Sequence, residues 1–111
     1  MPTTEASGTQ AATVTTEHSL ATVTTAKVLV FTVDVNALVG GATPDIVELR
    51  IKRKVLTGGT ARQEIICTAV GGLVVNPIVV QVPAVSMFSC EFTLKQTQGT
   101  GRSFDWSVVS L

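Results

Sequence analysis

Apolar and polar residues alternate with a period of two along most of this chain, which is the pattern of β-strands with one buried face. The clearest run covers residues 46–55, where Val47, Leu49 and Ile51 alternate with charged residues. Residues 27–35 also alternate, but the first half of this run is apolar on both faces. Such a strand is either central in the fold or has its outer face covered by another subunit.

Glycine and proline separate these runs at short intervals, and no stretch has the apolar spacing that a helix requires. Gly58-Gly59 is a good hairpin turn, because consecutive glycines supply the positive φ of primed turns. Strands are predicted over residues 20–24, 27–35, 46–55, 62–70, 78–82, 87–95 and 102–111. In the run at 87–95, alternation predicts that Phe88, Cys90, Phe92 and Leu94 point inward. The pattern is typical of an all-β fold, a single antiparallel β-sandwich or jelly-roll-like domain of seven or eight strands.

The N-terminal segment has a different composition from the rest of the chain. Residues 1–17 contain mostly Thr, Ala, Ser and Gly, so they bury too little surface to offset the entropy of ordering. We expect a flexible N-terminal arm over residues 1–17 and the β-sandwich domain over residues 18–111. Residues 13–15 have β character, which would allow the arm to add a strand to the edge of a neighbour.

The composition indicates a chain that associates with copies of itself. It has 17 Thr and 18 Val among 111 residues, a hydrophobic fraction of 45% and a mean hydropathy of +0.44. A domain of this size has too much surface per volume to hide so much apolar side chain alone. We therefore expect a homo-oligomer, with Val28 and Val30 lining the contact between subunits.

The net charge is zero, with eight basic and eight acidic residues, so no overall field attracts nucleic acid. Half of the basic residues lie in one stretch: Arg50, Lys52, Arg53 and Lys54. No aromatic residues that stack on bases are interleaved with them, so we interpret the stretch as a solvated strand face that pairs with Glu64. Arg50 and Lys52 are also candidate interface residues. We expect no nucleic-acid partner.

The sequence shows no signal peptide and no apolar run long enough to span a membrane. Its two cysteines are too few for a disulfide framework. Cys67 and Cys90 fall at inward positions of their predicted strands, which favours small core residues over reactive thiols. We expect folding in a reducing cytosol and no membrane partner.

Side chains that carry catalysis are scarce. His18 is the only histidine, and no His, Cys, Asp or Glu cluster has the spacing of metal ligands. The loop at residues 99–103 lacks the glycine spacing, the lysine and the following helix of a phosphate-binding loop. No pair stands out among six carboxylates that are predicted at outward strand or turn positions: Asp34, Asp45, Glu48, Glu64, Glu91 and Asp105. We predict no enzyme activity, no cofactor and no metal site.

The last predicted strand contains an aromatic and charged group of the kind that is common in protein interfaces. Phe104 and Trp106 share its inward face, so we interpret them as core residues. Arg102 and Asp105 are left as candidate interface or turn-locking residues.

Residues 91–106 (EFTLKQTQGTGRSFDW), together with VELRIK at 47–52 and TGGT at 57–60, resemble small virion proteins of tailed bacteriophages. The resemblance implies a capsid decoration (cement) protein: a compact β-sandwich, commonly a trimer, that binds the major capsid protein on the outside of the head. It also implies synthesis in the host bacterial cytoplasm and residence on the capsid surface of the virion. It carries over no catalytic or ligand-binding residue.

A recognition or adaptor module of a phage tail or fibre is the alternative function. Such a module would present an exposed aromatic platform. Aromatic residues make up 5% of the chain and tyrosine is absent, so the decoration protein is the preferred hypothesis.

Overall fold

The computed structural model of the chain describes residues 2–71 and 79–111, and for residues 64–66 it describes the backbone alone. This part of the chain contains eight β-strands and no helix. The strands are β1 (Thr3–Ala11), β2 (Glu17–Val23), β3 (Lys27–Asp34), β4 (Ile46–Arg53), β5 (Arg62–Val70), β6 (Val79–Ser86), β7 (Cys90–Gln98) and β8 (Ser103–Ser110).

The strands pair as if the chain formed one long hairpin that was then rolled up. β1 pairs with β8, β2 with β7, β3 with β6 and β4 with β5, all antiparallel. Two further pairs, β3–β8 and β4–β7, complete two four-stranded sheets. Sheet A has the order β1-β8-β3-β6 and sheet B the order β2-β7-β4-β5. This is a jelly roll, and the predicted all-β sandwich is confirmed.

The core lies between the two sheets and is built from the inward positions of the alternating runs. Phe31 of β3 and Phe92 of β7 meet across it, with ring centroids 5.0 Å apart and planes tilted by 50°. The inward face predicted for residues 46–55 is confirmed, because Val47, Leu49 and Ile51 are fully buried. The other fully buried large apolar side chains are Leu29, Val33, Val35, Leu94, Phe104 and Val108.

The N-terminal segment differs from the predicted flexible arm. Thr3–Ala11 is strand β1, which pairs with β8 along the edge of sheet A. None of its side chains is buried. Composition weighs only side-chain burial, whereas an open sheet edge supplies backbone hydrogen bonds that order even a polar strand. Residues 13–15 lie in the connection to β2 and not in an added strand.

Several strand boundaries also differ from the prediction, most clearly those of β6 and β7. The strand predicted over residues 78–82, whose first residue lies outside the described chain, is β6 and continues through Pro83. Proline is tolerated in β6 because it is an edge strand, in which every second N–H faces away from the sheet and bonds to no strand. The strand predicted to start at Met87 starts at Cys90. Phe88, which was predicted to point inward, therefore lies in the β6–β7 turn and is exposed.

Candidate interaction surface

One end of the sandwich carries most of the exposed large apolar side chains. Val28 at the start of β3 pairs with Val85 near the end of β6, and the Leu111 N–H donates to the Val28 carbonyl at 3.0 Å. The β4–β5 loop joins the β6–β7 turn through a bond of 3.4 Å from Lys54 N–H to the Ser89 carbonyl. We call the exposed set at this end the apolar patch: Val28, Val55, Leu56, Val85, Met87, Phe88 and Leu111.

Part of the apolar patch forms a groove with a volume of about 530 Å³. Its apolar lining comes from the β4–β5 loop, the end of β6 and the β6–β7 turn: Val55, Val85, Met87 and Phe88. Arg53, Lys54 and Arg62 also line it, and no carboxylate of the described chain does. The groove therefore suits apolar side chains that are accompanied by negative charge.

The apolar patch continues onto the outer face of sheet A. Val30 is half-buried there, with Pro83 of β6 on one side and Val109 of β8 on the other. Thr32 and Asp34 follow on the same face of β3, so this face becomes polar toward the far end of the sandwich. The apolar part of this face of β3 is therefore the half of the strand next to the apolar patch.

The outer face of sheet B is covered by ion pairs. The Arg50 guanidinium lies 2.7 Å from Glu48 Oε2 and 3.6 Å from Glu17 Oε1. The Lys52 ammonium lies 3.6 Å from the same Glu17 oxygen. Arg50 and Lys52 of the basic stretch are thus paired with neighbouring acids, in agreement with the interpretation of these two residues as part of a strand face.

Glu17 is the centre of this network. The Thr93 hydroxyl donates to Glu17 Oε2 at 2.5 Å, and it is the main reason why the pKa of Glu17 lies below its ordinary value. The charges of Lys52 and Arg50 also lower the pKa of Glu17. Partial burial of the carboxylate raises it, but by less than these effects together. The side chain of Glu64, the predicted partner of the basic stretch, lies outside the described side chains.

Arg102 lies at the end of the sandwich opposite the apolar patch, where it locks two loops together. Its Nε donates to Asp45 Oδ2 at 2.7 Å. Asp45 also accepts the N–H of Val39 and the N–H of Thr100, each at 2.9 Å. These bonds join the β3–β4 connection to the β7–β8 loop. Arg102 is therefore a turn-locking residue in this structure.

Asp45 was predicted at an outward strand or turn position. It lies directly before β4, outside the strand, but its side chain is buried and only 2% exposed. Burial alone would raise the pKa of Asp45, but the bonds from Val39, Arg102 and Thr100 outweigh burial and hold the pKa below its ordinary value. Gly99, at φ 95°, lies directly against this carboxylate. A Cβ there would collide with it, so the loop requires glycine both for φ and for space.

Asp105 is exposed on the outer face of sheet A, where its Oδ1 accepts the Thr9 hydroxyl at 2.6 Å. Among the predicted interface residues, the structure brings Val28 together with Val30 on sheet A, and Arg50 together with Lys52 beside Glu17 on sheet B. The others lie apart: Arg102 at the far end and Asp105 at the polar end of sheet A.

The remaining reactive side chains hold structural positions. His18 Nε2 accepts the N–H of Thr13 at 3.0 Å. Cys67 and Cys90 are free thiols, and burial raises the pKa of Cys90 to about 11, with Arg53 opposing the shift only in part. Within the described ranges, no group of His, Cys, Asp and Glu is arranged to hold a metal ion. The described chain also has no helix that could cross a membrane.

The apolar patch contains residues that the alternation pattern did not identify as surface contacts. Met87 and Phe88 were assigned to a strand, and Val55 and Leu56 were not singled out. One signal was available, because Val55-Leu56 places two large apolar residues directly before the Gly58-Gly59 turn, where a polar loop is usual. No signal connected that loop with the β6–β7 turn, because their proximity depends on the topology.

Comparison of the chain with protein-family models, with curated proteins and with solved structures finds no match.

Proposed function

We propose that this chain is a structural virion protein, a capsid decoration protein that binds the major capsid protein on the outside of a phage head and stabilises it. The observation that carries the proposal is the apolar patch, an exposed apolar surface at one end of the sandwich. The residues that resemble phage virion proteins, 91–106, span most of β7, the loop locked by Asp45 and the first half of β8.

The apolar patch supports two kinds of contact. The half that continues onto sheet A, with Val28 and Val30, suits association with other copies of the chain, for which we propose a homotrimer. The groove, with its basic rim, suits an apolar and acidic segment of the capsid protein. A trimer engages several capsid subunits at once, and multivalency turns individually weak contacts into tight retention.

The alternative recognition module has less support. Phe31, Phe92 and Phe104 are fully buried and Trp106 is partly buried, which leaves Phe88 as the one exposed aromatic side chain. A single ring is not the platform on which such modules stack their ligands.

Val85→Asp will weaken binding to the capsid by about tenfold or more, since a desolvated charge in an apolar contact costs at least about 1.4 kcal/mol. Val79→Asp is the matched control. Both valines lie on the outer face of β6 and both are 44% exposed, but Val79 lies at the far end of the strand, outside the apolar patch. We expect Val79→Asp to bind like the unchanged chain.

The measurement is co-sedimentation of purified protein with heads of the same phage that lack it, over a range of concentrations. Sedimentation equilibrium of the free proteins tests the trimer in parallel, with a mass of about three chains expected for the unchanged protein. Failure of the unchanged chain to sediment with the heads, or equal losses for both variants, contradicts the proposal. A stable monomer contradicts the trimer alone.

A further inference from the structure

Strand β1 is attached to the domain almost entirely through its backbone. It forms a ladder with β8 from the Thr3–Ser110 pair to the Ala11–Ser103 pair, and it contributes no residue to the core. Its side chains add polar contacts: Glu5 accepts from Lys27 at 2.6 Å and bonds to the Ser110 side chain, and the Thr9 hydroxyl donates to Asp105 at 2.6 Å. The one apolar anchor at this end is the small side chain of Ala12, which directly follows β1, is 9% exposed and belongs to the core, and whose N–H donates to the Arg102 carbonyl at 2.8 Å.

The connection that returns β1 to its own domain is strained. Thr15 has φ 70°, in the left-handed region, which is an outlier for a β-branched residue. The turn is held by a bond of 2.7 Å from the Thr15 N–H to the Gln96 carbonyl and one of 3.0 Å from the Thr16 N–H to the Thr13 carbonyl. An extended connection would release Thr15 from this conformation.

We propose that β1 exchanges between copies of this chain: it leaves its own β8 and pairs in the same register with β8 of a second copy. Every contact of β1 described above is re-formed in the exchanged pair, and the two states differ only in residues 13–16. The occupant that fits the vacated edge is another copy, because its β1 brings the paired carboxylate of Glu5, the hydroxyl of Thr9 and Gly8, which packs on the Trp106 ring.

This exchange is independent of the proposed capsid function, because it requires only a second copy of the chain. The exchange would join two chains, because β1 of each would form an ordinary β-ladder with β8 of the other. It requires no new apolar surface. If β1 left and no second copy took its place, β8 would become an open sheet edge and the Trp106 ring would be uncovered. Mutual exchange is therefore favoured over one-sided exchange.

The test is a disulfide between paired positions on different chains. Ser7 of β1 pairs with Ser107 of β8, and Ser107 pairs on its other side with Thr32 of β3. Full-length chains with Ser7→Cys and Ser107→Cys, carrying different tags, are co-expressed, purified together, oxidised and separated on a non-reducing gel. Co-expressed Thr32→Cys and Ser107→Cys chains are the matched control, because β3 and β8 belong to one domain in either state.

We expect a covalent heterodimer from the Ser7→Cys and Ser107→Cys chains and none from the control pair. Absence of the heterodimer overturns the proposal, as does a heterodimer of equal yield in the control, which would reflect random collision. The single-chain double variant Ser7→Cys/Ser107→Cys shows whether a disulfide can join the two positions when β1 pairs with β8 of its own chain.

A second pair of variants tests the connection without introducing cysteine at the ladder. Proline cannot adopt the φ of Thr15, so Thr15→Pro disfavours the closed turn, whereas Thr15→Gly removes its strain. We expect Thr15→Gly to lower the ratio of exchanged to closed chains by about tenfold and Thr15→Pro to raise it, measured as heterodimer yield in the cysteine background. Equal yields in both variants overturn the proposal.

Discussion

Replacing Phe92 with alanine will lower the free energy of unfolding by about 4 kcal/mol, within the range for truncating a buried phenylalanine. Phe92 is fully buried on β7, a central strand of sheet B, and its ring contacts Phe31 of sheet A. The truncation removes this contact between the sheets and leaves a cavity. The cavity cannot collapse easily, because β7 is held on both sides by β2 and β4.

Phe88→Ala is the matched control for this prediction. It removes the same ring four residues earlier, from the exposed β6–β7 turn, and should change the free energy of unfolding by less than about 1 kcal/mol. Urea unfolding followed by the fluorescence of Trp106, the single tryptophan, gives both values. Equal destabilisation by the two substitutions would show that the core does not depend on the ring pair between the sheets.

Phe92 and Phe88 also show how far strand parity can be used to predict the fold. Both lie at even positions of the run predicted over residues 87–95, and parity assigned both to the core. The assignment is correct for Phe92 and wrong for Phe88, because the strand starts at Cys90 and alternation has no meaning in a turn. Parity predicted the core well wherever a strand continued on both sides of the residue.

β1 was missed for a different reason. A search for apolar residues can find only segments that are stabilised by burial. The side chains of Thr3–Ala11 are not buried, and this strand is stabilised by pairing with β8, about a hundred residues later in the chain. Backbone pairing of this kind leaves no mark on the composition of the paired segment.

The apolar patch was predicted only where it lies on a strand. Val28 was singled out because the first half of residues 27–35 is apolar on both faces. Val55 and Met87 belong to separate connections, and they meet only because the rolled hairpin brings the β4–β5 loop beside the β6–β7 turn. A site formed by connections between strands can be predicted only if the order of the strands in the sheets is known. Alternation along single strands does not reveal that order.

Asp45 is the clearest case of a residue whose role depends on distant loops, and it is the basis of the second large prediction. Asp45→Asn will lower the free energy of unfolding at pH 7 by about 3 kcal/mol. Oδ1 accepts the Thr100 N–H, and Oδ2 accepts the Val39 N–H and Arg102 Nε. In either orientation of an asparagine amide, its NH₂ group faces a donor and leaves it without an acceptor in a buried site.

Asp105→Asn is the control, since Asp105 is exposed and a single hydroxyl donates to it. An amide oxygen accepts that bond equally well, so we expect a change within about 0.5 kcal/mol. Chemical unfolding of the three proteins at pH 7 gives the comparison. A loss for Asp45→Asn no larger than that for Asp105→Asn would contradict the locking role of this carboxylate.

The difference in free energy of unfolding between the unchanged chain and Asp45→Asn depends on pH. The pKa of Asp45 determines whether this difference grows or shrinks in acid. This pKa is lower in the folded than in the unfolded chain, so the unfolded chain binds more protons and acid favours unfolding. The stabilisation is complete above the unfolded-state pKa of about 4 and is lost as the pH falls through the lower folded-state value. Unfolding measured from pH 6 down to pH 2 should therefore show the two stabilities converging. A gap that stays constant over this range would mean that the shape of Asp45, and not its charge, holds the two loops together.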